Sequence, residues 1–227
     1  MTRKLTYWAT GILMVMTLLA SGCEAVKTKE SMNSKIYLFN GKDLSGWAMV
    51  CEDPAVPVGQ IWSVRDGVLL CAGQPNSYLR TDKSFSNYRL HVEWRWPAAA
   101  TNSGVFVHTQ TPDVVWPPCI QCQLKAGRAG DIIVMNGQSL TINGTQLQSE
   151  AGPGGQQTFE NKVESSEKAP GQWNQYGITC DNGDIKCWVN GVLQSEGTAA
   201  SVTSGFIALQ GEAGPIEFRN IYIESIR

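Results

Sequence analysis

Short segments in which apolar and polar residues alternate dominate this chain. The clearest one spans residues 88–96, where Tyr88, Leu90, Val92, Trp94 and Trp96 alternate with Arg89, His91, Glu93 and Arg95. Successive side chains of a β-strand point to opposite faces, so this period of two predicts a strand with one buried and one wet face. Similar runs occupy residues 36–39, 47–50, 61–64, 68–71, 105–108, 120–124, 132–135, 178–180, 185–189, 206–210 and 216–226. No window of helical length keeps a 3.6-residue period, and the chain is therefore predicted to be all-β.

Turn residues separate these runs. Asp66-Gly67 and Asn182-Gly183 each lie between two strand-like runs, which is the pattern of a hairpin with a type I′ turn. Many short strands at close spacing predict a β-sandwich or barrel. Three longer segments (97–102, 110–118 and 144–172) are predicted to be loops, long enough to carry function.

Composition narrows the class of protein. Of the 227 residues, 42% are hydrophobic and 17% charged, against roughly 25% charged in an average soluble domain. This balance disfavours disorder and coiled coils. The net charge of -2 gives no basic surface, so nucleic acid is not an expected partner. The 23 glycines and 8 tryptophans fit a turn-rich β protein that handles neutral polar ligands such as sugars. Four tryptophans on the predicted strands are expected in the core: Trp62, Trp94, Trp96 and Trp188.

The first residues resemble an export signal. A short basic start precedes an apolar run at residues 12–19, and the sequence Ala-Ser-Gly-Cys that follows ends at Cys23. The run is too short to span a membrane. We interpret residues 1–22 as a lipoprotein signal peptide, Cys23 as the acylated residue that anchors the protein to a membrane, and residues 23–34 as a tether. The protein is then expected in the cell envelope, with the folded domain at 35–227. A plain signal peptide is the alternative.

The six remaining cysteines allow 15 disulfide pairings, among which the sequence does not choose. Cys119 and Cys122 have the spacing of a metal or redox pair. They lie in a strand-like run, however, where residues three apart are about 10 Å apart on opposite faces. The chain has only two histidines and no second such pair to complete a zinc site. Buried or singly paired thiols are the expectation.

Three predicted strands carry polar residues on one face, opposite an apolar one. These polar sets are His91, Glu93 and Arg95, then His108 with Gln110, then Gln121, Gln123 and Lys125. If the strands are neighbours in one curved sheet, the sets form a groove whose amides and charges bind sugar hydroxyls, with Trp116 stacking on a sugar ring. The alternative is the ordinary wet face of an antiparallel sheet. Asn102, just before the second strand, either binds ligand or belongs to a turn.

Several short sequence motifs resemble those of a known family. They are LFNGKDLSGW at 38–47, EWR at 93–95 with NSGVF at 102–106, QLK at 123–125 with AGD at 129–131, and WVNG at 188–191. These motifs are similar to those of the 3-keto-disaccharide hydrolase domain family. The resemblance implies a concanavalin A-like jelly-roll sandwich of two antiparallel sheets, often on exported lipoproteins, that acts on glycosides oxidised to a ketone at C3. The family often has Glu where this chain has Gln121.

A ketone at C3 changes which residues the reaction needs. Ordinary retaining glycosidases use two carboxylates about 5–5.5 Å apart. The predicted strand at residues 88–96 offers only one, Glu93, and has Arg95 where a second acid would be expected. The ketone acidifies the C2 proton, so that one base can remove it, the C1 substituent leaves, and water then adds. We assign His108 as the base or acid and Glu93 as its partner, with Asp131, Glu212 and Glu217 as reserve carboxylates.

The remaining polar residues are assigned to binding. Substrate contacts are expected from Arg95, Asn102, Trp116, Gln121, Gln123 and Lys125. A divalent cation held by Glu93, His108 and the amide oxygens is an alternative stabiliser of the enolate. The competing function is a non-catalytic, lectin-like glycan-binding module on the same fold.

Overall fold

Two antiparallel sheets hold nearly all the strands of the computed structural model, which describes residues 34–152 and 154–226. Strands are numbered in chain order. Sheet A has the order β15 (Val192–Gly197), β14 (Asp184–Val189), β13 (Asn174–Asp181), β6 (Tyr88–Arg95), β17 (Ile216–Ser225), β4 (Val68–Cys71), β3 (Trp62–Arg65), with β1 (Lys35–Tyr37) also paired to β17. Sheet B has the order β12 (Gln156–Phe159), β9 (Ile132–Met135), β8 (Cys119–Gln123), β7 (Gly104–Thr109), β16 (Phe206–Gly211), β5 (Ser77–Thr81), β2 (Trp47–Cys51). A separate hairpin joins β10 (Ser139–Ile142) to β11 (Thr145–Gln148), and the four-residue helix α1 spans Val58–Ile61. The predicted jelly-roll β-sandwich is confirmed.

The core lies between the two sheets, where the alternating apolar residues meet. From β6, Val92 and Trp94 are fully buried, and from β8 so are Ile120 and Cys122. Burial of each such side chain contributes about 1.5–3 kcal/mol, which fixes which face of a strand turns inward. Three of the four tryptophans expected in the core are there: Trp62, Trp94 and Trp96. The expectation for Trp188 is wrong, because it alternates with buried Cys187 and Val189 and is only partly buried.

Both predicted hairpins are present. Asp66 and Gly67 join β3 to β4 with φ of 52° and 78°, and Asn182 and Gly183 join β13 to β14 with φ of 48° and 90°. Type I′ turns need positive φ at both central residues, and Asp, Asn and Gly tolerate it best. The local sequence therefore determines both turns.

Five strands escaped the sequence prediction: β5, β10, β11, β12 and β15. Two of them, β11 and β12, lie inside the segment 144–172 that was predicted to be a loop. Every residue of β12 is exposed or only partly buried, and it forms the edge of sheet B. An edge strand with no buried face lacks the apolar alternation on which the prediction depends.

The cysteines at 51, 71, 119, 122, 180 and 187 are free thiols, and all except Cys51 are buried, as expected. Cys122 points into the core and Cys119 packs on the opposite face of sheet B, so the two cannot act as one site. Cys122 Sγ lies instead 3.0 Å from Cys187 Sγ, across the sandwich in β14 of sheet A.

The predicted signal peptide and acylation site Cys23 lie outside the described residues, as does the tether up to residue 33. Within the described residues, no helix is both long and apolar enough to cross a membrane.

Candidate functional site

The outer face of sheet B carries a cleft of about 440 Å³. Strands β8, β9, β12 and β16 contribute to it, together with the loops before β7 and β8 and the segment between β8 and β9. Its lining divides into an apolar part, a row of side-chain amides and a group of charged residues. The first two parts match the chemistry of a sugar, which has C–H faces and directional hydroxyls.

The apolar part lies on the outer surface of sheet B. Ile133 and Met135 of β9 are largely buried and pack with Phe106 of β7. Trp116 packs against these three residues. Trp116 is only partly buried and lines the cleft. An indole placed beside a polar cleft is well suited to stacking on a pyranose ring.

The amide row comes from β8 and β16. Gln121 and Gln123 alternate with core residues of β8, so they face outward, yet they are only 3% and 7% exposed. Gln210 of β16 is 2% exposed and lies beside them. Gln121 Nε2 donates to Gln123 Oε1 at 3.0 Å and to Gln210 Oε1 at 3.2 Å.

Glu212 ends this row. Its Oε2 accepts hydrogen bonds from Gln210 Nε2 at 3.0 Å and from Asn102 Nδ2 at 2.7 Å. Removal from water raises the pKa of the Glu212 carboxyl above its ordinary value. None of the ion pairs found in the described residues involves Glu212, so no cation stabilises its charge there. A carboxylate with a raised pKa in a polar cleft is a suitable general base.

Asp131, a buried carboxylate of the cleft, has hydrogen-bond or ion-pair partners on both oxygens. Asp131 Oδ1 accepts from the backbone N–H and the side-chain amide of Asn161, and its Oδ2 lies 2.8 Å from Arg128 Nη2. Burial raises the pKa of Asp131, an effect that these donors oppose. Asp131 therefore holds Arg128 and the segment around Asn161 in place, with little capacity left for chemistry.

Five of the predicted site residues meet in this cleft: Asn102, Trp116, Gln121, Gln123 and Lys125. Of the groove that was expected on three strands, the cleft contains only the β8 set, Gln121, Gln123 and Lys125. β7 does pair with β8, but its predicted residues His108 and Gln110 do not line the cleft. Asp131 and Glu212, held only in reserve, also line the cleft, and the sequence prediction missed other lining residues, among them Arg128, Gln210 and Glu160. Gln210 and Glu212 alternate with buried Leu209, which is the signal that could have found them.

The prediction that β6 joins the same groove is wrong. β6 belongs to sheet A, so Glu93 and Arg95 lie on the outer face of the opposite sheet. There Glu93 Oε2 pairs with Arg219 Nε at 2.6 Å and Glu93 Oε1 accepts from Asn220, while Arg95 pairs with Glu217. These ion pairs stabilise sheet A and leave Glu93 and Arg95 without access to the cleft.

His108 is also misplaced in the prediction. The register of β7 against β16 shifts between Phe106 and Thr109, so that β7 carries one extra residue, and His108 adopts a φ of 52°. This bulge turns the imidazole against Tyr88, a residue of the core. Its Nδ1 lies 3.0 Å from the carbonyl oxygen of Val202, and burial lowers the pKa of His108 to about 4. The predicted His108–Glu93 pair therefore does not form, and the two cannot hold one cation between them.

No group of three or more His, Cys, Asp or Glu side chains in the described part of the chain is arranged to hold a metal ion. The carboxylates of the cleft are instead bound by amides and by Arg128.

Comparison with known proteins agrees with this architecture. The family model described as a 3-keto-alpha-glucoside-1,2-lyase-like domain matches residues 34–224. No curated protein matches the chain.

Among solved structures, a glycosyl hydrolase candidate from Parabacteroides distasonis is 24% identical to this chain, with a TM-score of 0.60. The alignment covers 86% of this chain and 100% of the Parabacteroides chain. The carbohydrate-binding module CBM66 from Bacillus subtilis is 10% identical with a TM-score of 0.56 and coverages of 80% and 97%. The β-glucanase of Bacillus licheniformis is 15% identical with a TM-score of 0.55 and coverages of 86% and 100%. At these identities the likeness shows the fold alone.

Proposed function

Because the chain belongs to the family of 3-keto-alpha-glucoside-1,2-lyase-like domains, with a glycosyl hydrolase-like fold, we propose that it cleaves 3-keto-glycosides in the cleft of sheet B. The observation that carries this proposal is Glu212, a partly buried carboxylate with a raised pKa that faces a sugar-sized polar cleft. The other carboxylates of the cleft, Asp131 and Glu160, both pair with Arg128, whereas two-carboxylate hydrolysis needs a second available acid.

In the proposed reaction, Glu212 removes the proton from C2 of the keto-sugar. The electron pair of the C2–H bond forms the C2=C3 bond of an enolate, with the negative charge on the C3 oxygen. Collapse of the enolate breaks the C1–O bond, and the protonated Glu212 returns its proton to the departing oxygen. Water then adds across C1=C2, so the net change is hydrolysis to 3-keto-glucose and a free alcohol.

The enolate oxygen needs donors that are already in place, since such preorganised groups stabilise developing charge most effectively. Gln123 is suited to this role, because its Oε1 is occupied by other donors and its Nε2 donates to no atom of the described residues. Lys125 is exposed at the cleft and supplies positive charge. Trp116 stacks on the sugar, and Asn102 holds Glu212.

The test is incubation of the purified protein with 3-keto-trehalose, with product followed by NMR in D2O. Turnover should place deuterium at C2 of the product, and Glu212→Gln should reduce kcat by about 10²–10⁴. Glu93→Gln, on the outer face of sheet A, is the matched control and should retain kcat within about twofold. Loss of turnover in Glu93→Gln but not in Glu212→Gln would restore the assignment made from sequence. A parallel reaction with chelator tests for a divalent cation.

A non-catalytic glycan-binding module is the second candidate function. The observation that favours it is the amide at Gln121, in a cleft whose other buried carboxylate, Asp131, is engaged. A carbohydrate-binding module of Bacillus subtilis shares the fold. Saturable binding of the keto-sugar without turnover or deuterium incorporation would select this function.

We also propose that the protein is exported and anchored to a membrane by acylation at Cys23. Metabolic labelling with a fatty acid should mark the wild-type protein, and Cys23→Ala should move it from the membrane fraction to the soluble one. An unlabelled, cleaved wild-type protein would indicate a plain signal peptide instead.

A further inference from the structure

We infer that Gln121, which does not touch Glu212, positions this carboxylate and controls how readily it takes a proton, through a chain of side-chain amides with a fixed direction. The chain runs from Gln123 through Gln121 and Gln210 to Glu212. The catalytic consequence rests on the function proposed above, whereas the effect on Glu212 itself does not.

The direction is set at the Gln123 end. The backbone N–H groups of Leu124 and Lys125 both point at one side-chain atom of Gln123, at 3.0 and 3.2 Å. A backbone N–H can only donate, so this atom must be the amide oxygen of Gln123. The orientation of the first amide is therefore imposed by the main chain at the end of β8.

Each following amide inherits its orientation from the one before. Gln121 faces the oxygen of Gln123 and must present its NH₂ group, which donates at 3.0 Å and, with its second hydrogen, at 3.2 Å to Gln210. Gln210 therefore presents its oxygen to Gln121 and its NH₂ group to Glu212, at 3.0 Å. The chain delivers a donor to the carboxylate and favours its charged form.

The surroundings keep the amides from turning. Gln121, Gln123 and Gln210 are 3%, 7% and 2% exposed, so bulk water offers few alternative partners. Gly104 of the adjacent strand β7 lies directly against them: a Cβ there would come within 2.5 Å of Gln121 Nε2 and 2.9 Å of Gln210 Oε1. The missing side chain at 104 provides the space that the amides fill.

Loss of the Gln121 amide should act at a distance. Without a donor from position 121, the amide oxygen of Gln210 loses its partner, so Gln210 is no longer held in the orientation that presents its NH₂ group to Glu212, and the hydrogen bond to the carboxylate weakens. The pKa of Glu212 should then rise by about one pH unit, the order of effect expected for a charge-assisted hydrogen bond. Asn102 still donates to Glu212, so the carboxylate stays in the cleft.

The experiment is a titration of the Glu212 carboxyl by ¹³C NMR in folded protein, with its signal assigned from Glu212→Gln. Gln121→Met is neutral, similar in size and lacks a donor, and it should raise the pKa of Glu212 by about one pH unit. Gln121→Glu and Gln123→Glu each add one negative charge, but only the first reverses the direction of the chain. Position 123 already uses an acceptor, so Gln123→Glu should shift Glu212 distinctly less than Gln121→Glu.

An unchanged Glu212 pKa in Gln121→Met would overturn the inference, because this variant removes the donor without adding a charge. Equal shifts in the two glutamate variants would also overturn it, because reversal of the chain at position 121 would then add nothing. The titration needs no turnover, so its result does not depend on whether the proposed function is correct. Shifted pKa values in a protein that never cleaves the keto-sugar would support the amide chain and reject the enzyme. If the protein is active, the pKa of the acidic limb of kcat plotted against pH should shift by the same amount as the Glu212 pKa measured by NMR.

Discussion

Among single residues, the cleft depends on a glycine that leaves space as well as on the polar side chains that fill that space. Gly104 is the clearest case, since its backbone φ is ordinary and only space explains why a glycine suits the position. The amides of Gln121 and Gln210 occupy the volume that any side chain at 104 would need.

Gly104→Ala should therefore damage the site. We expect KM for 3-keto-trehalose to rise by about tenfold or more, and the variant to lose about 1–3 kcal/mol of unfolding free energy through overpacking. Steady-state kinetics and thermal unfolding measure the two effects. Gly177→Ala in sheet A is the matched control, because its Cβ would lie 3.8 Å from Trp188, an ordinary contact. Wild-type KM in Gly104→Ala would show that the amides do not contribute to binding.

At the scale of elements, the bulge in β7 decides what His108 does. The extra residue removes the imidazole from the cleft and places it in the core, where Nε2 has no hydrogen-bond partner among the described residues. The carbonyl oxygen of Val202 accepts a hydrogen bond from Nδ1–H, and because burial lowers the pKa of His108 to about 4, the ring is neutral at pH 7. Its protonation would place an unpaired charge in the sandwich.

This burial predicts a loss of stability in acid. The pKa of His108 is about 4 in the folded protein and about 6.5 when unfolded, so the unfolded chain binds the extra proton between these values. Stability conferred by neutral His108 is complete above about pH 6.5 and falls by about 3 kcal/mol as the pH drops to 4 and below. Urea unfolding at pH 7 and pH 4 measures the difference.

The variant His108→Asn isolates this effect, since Asn tolerates positive φ and does not titrate. The stability difference between pH 7 and pH 4 should shrink by about 3 kcal/mol relative to wild type. The pKa of His91 is also lowered by burial, and the comparison of variant with wild type cancels its contribution. An unchanged difference would mean that His108 is not the buried neutral base described above.

For the molecule as a whole, we expect the two outer faces of the sandwich to have different roles. Sheet B carries the cleft. On the outer face of sheet A, Arg219 contacts both Glu93 and the ring of Trp173. Polar residues on a strand can thus belong to ligand binding or to stability, according to the sheet that the strand joins.

Arg219→Gln tests this division. Loss of its contacts with Glu93 and Trp173 should lower Tm by a few degrees, since a partly exposed ion pair and an exposed cation–π contact each contribute up to about 1 kcal/mol. Affinity for 3-keto-trehalose, measured by calorimetry in a Glu212→Gln background that prevents turnover, should stay within twofold. A large loss of affinity would indicate that sheet A takes part in binding.

The amino-acid sequence alone specifies the period of each buried strand, the two hairpin turns and the outward direction of Gln121 and Gln123. These features depend on neighbouring residues, through alternation and turn conformation, and a single strand suffices to specify them. The resemblance to a known family also pointed to the sandwich, which the structure confirms, and to the keto-sugar chemistry that we propose.

Tertiary structure alone decided which polar faces share a site. Glu93 and His108 have the same local pattern as Gln121, but β6 pairs with β13 and β17 in sheet A, and the bulge against β16 turns His108 inward. Strand pairing and register join residues more than 100 positions apart, such as Glu93 with Arg219 and Asn102 with Glu212. Alternation along a strand assigns a side chain to a face, and only packing of the two sheets assigns that face to the cleft.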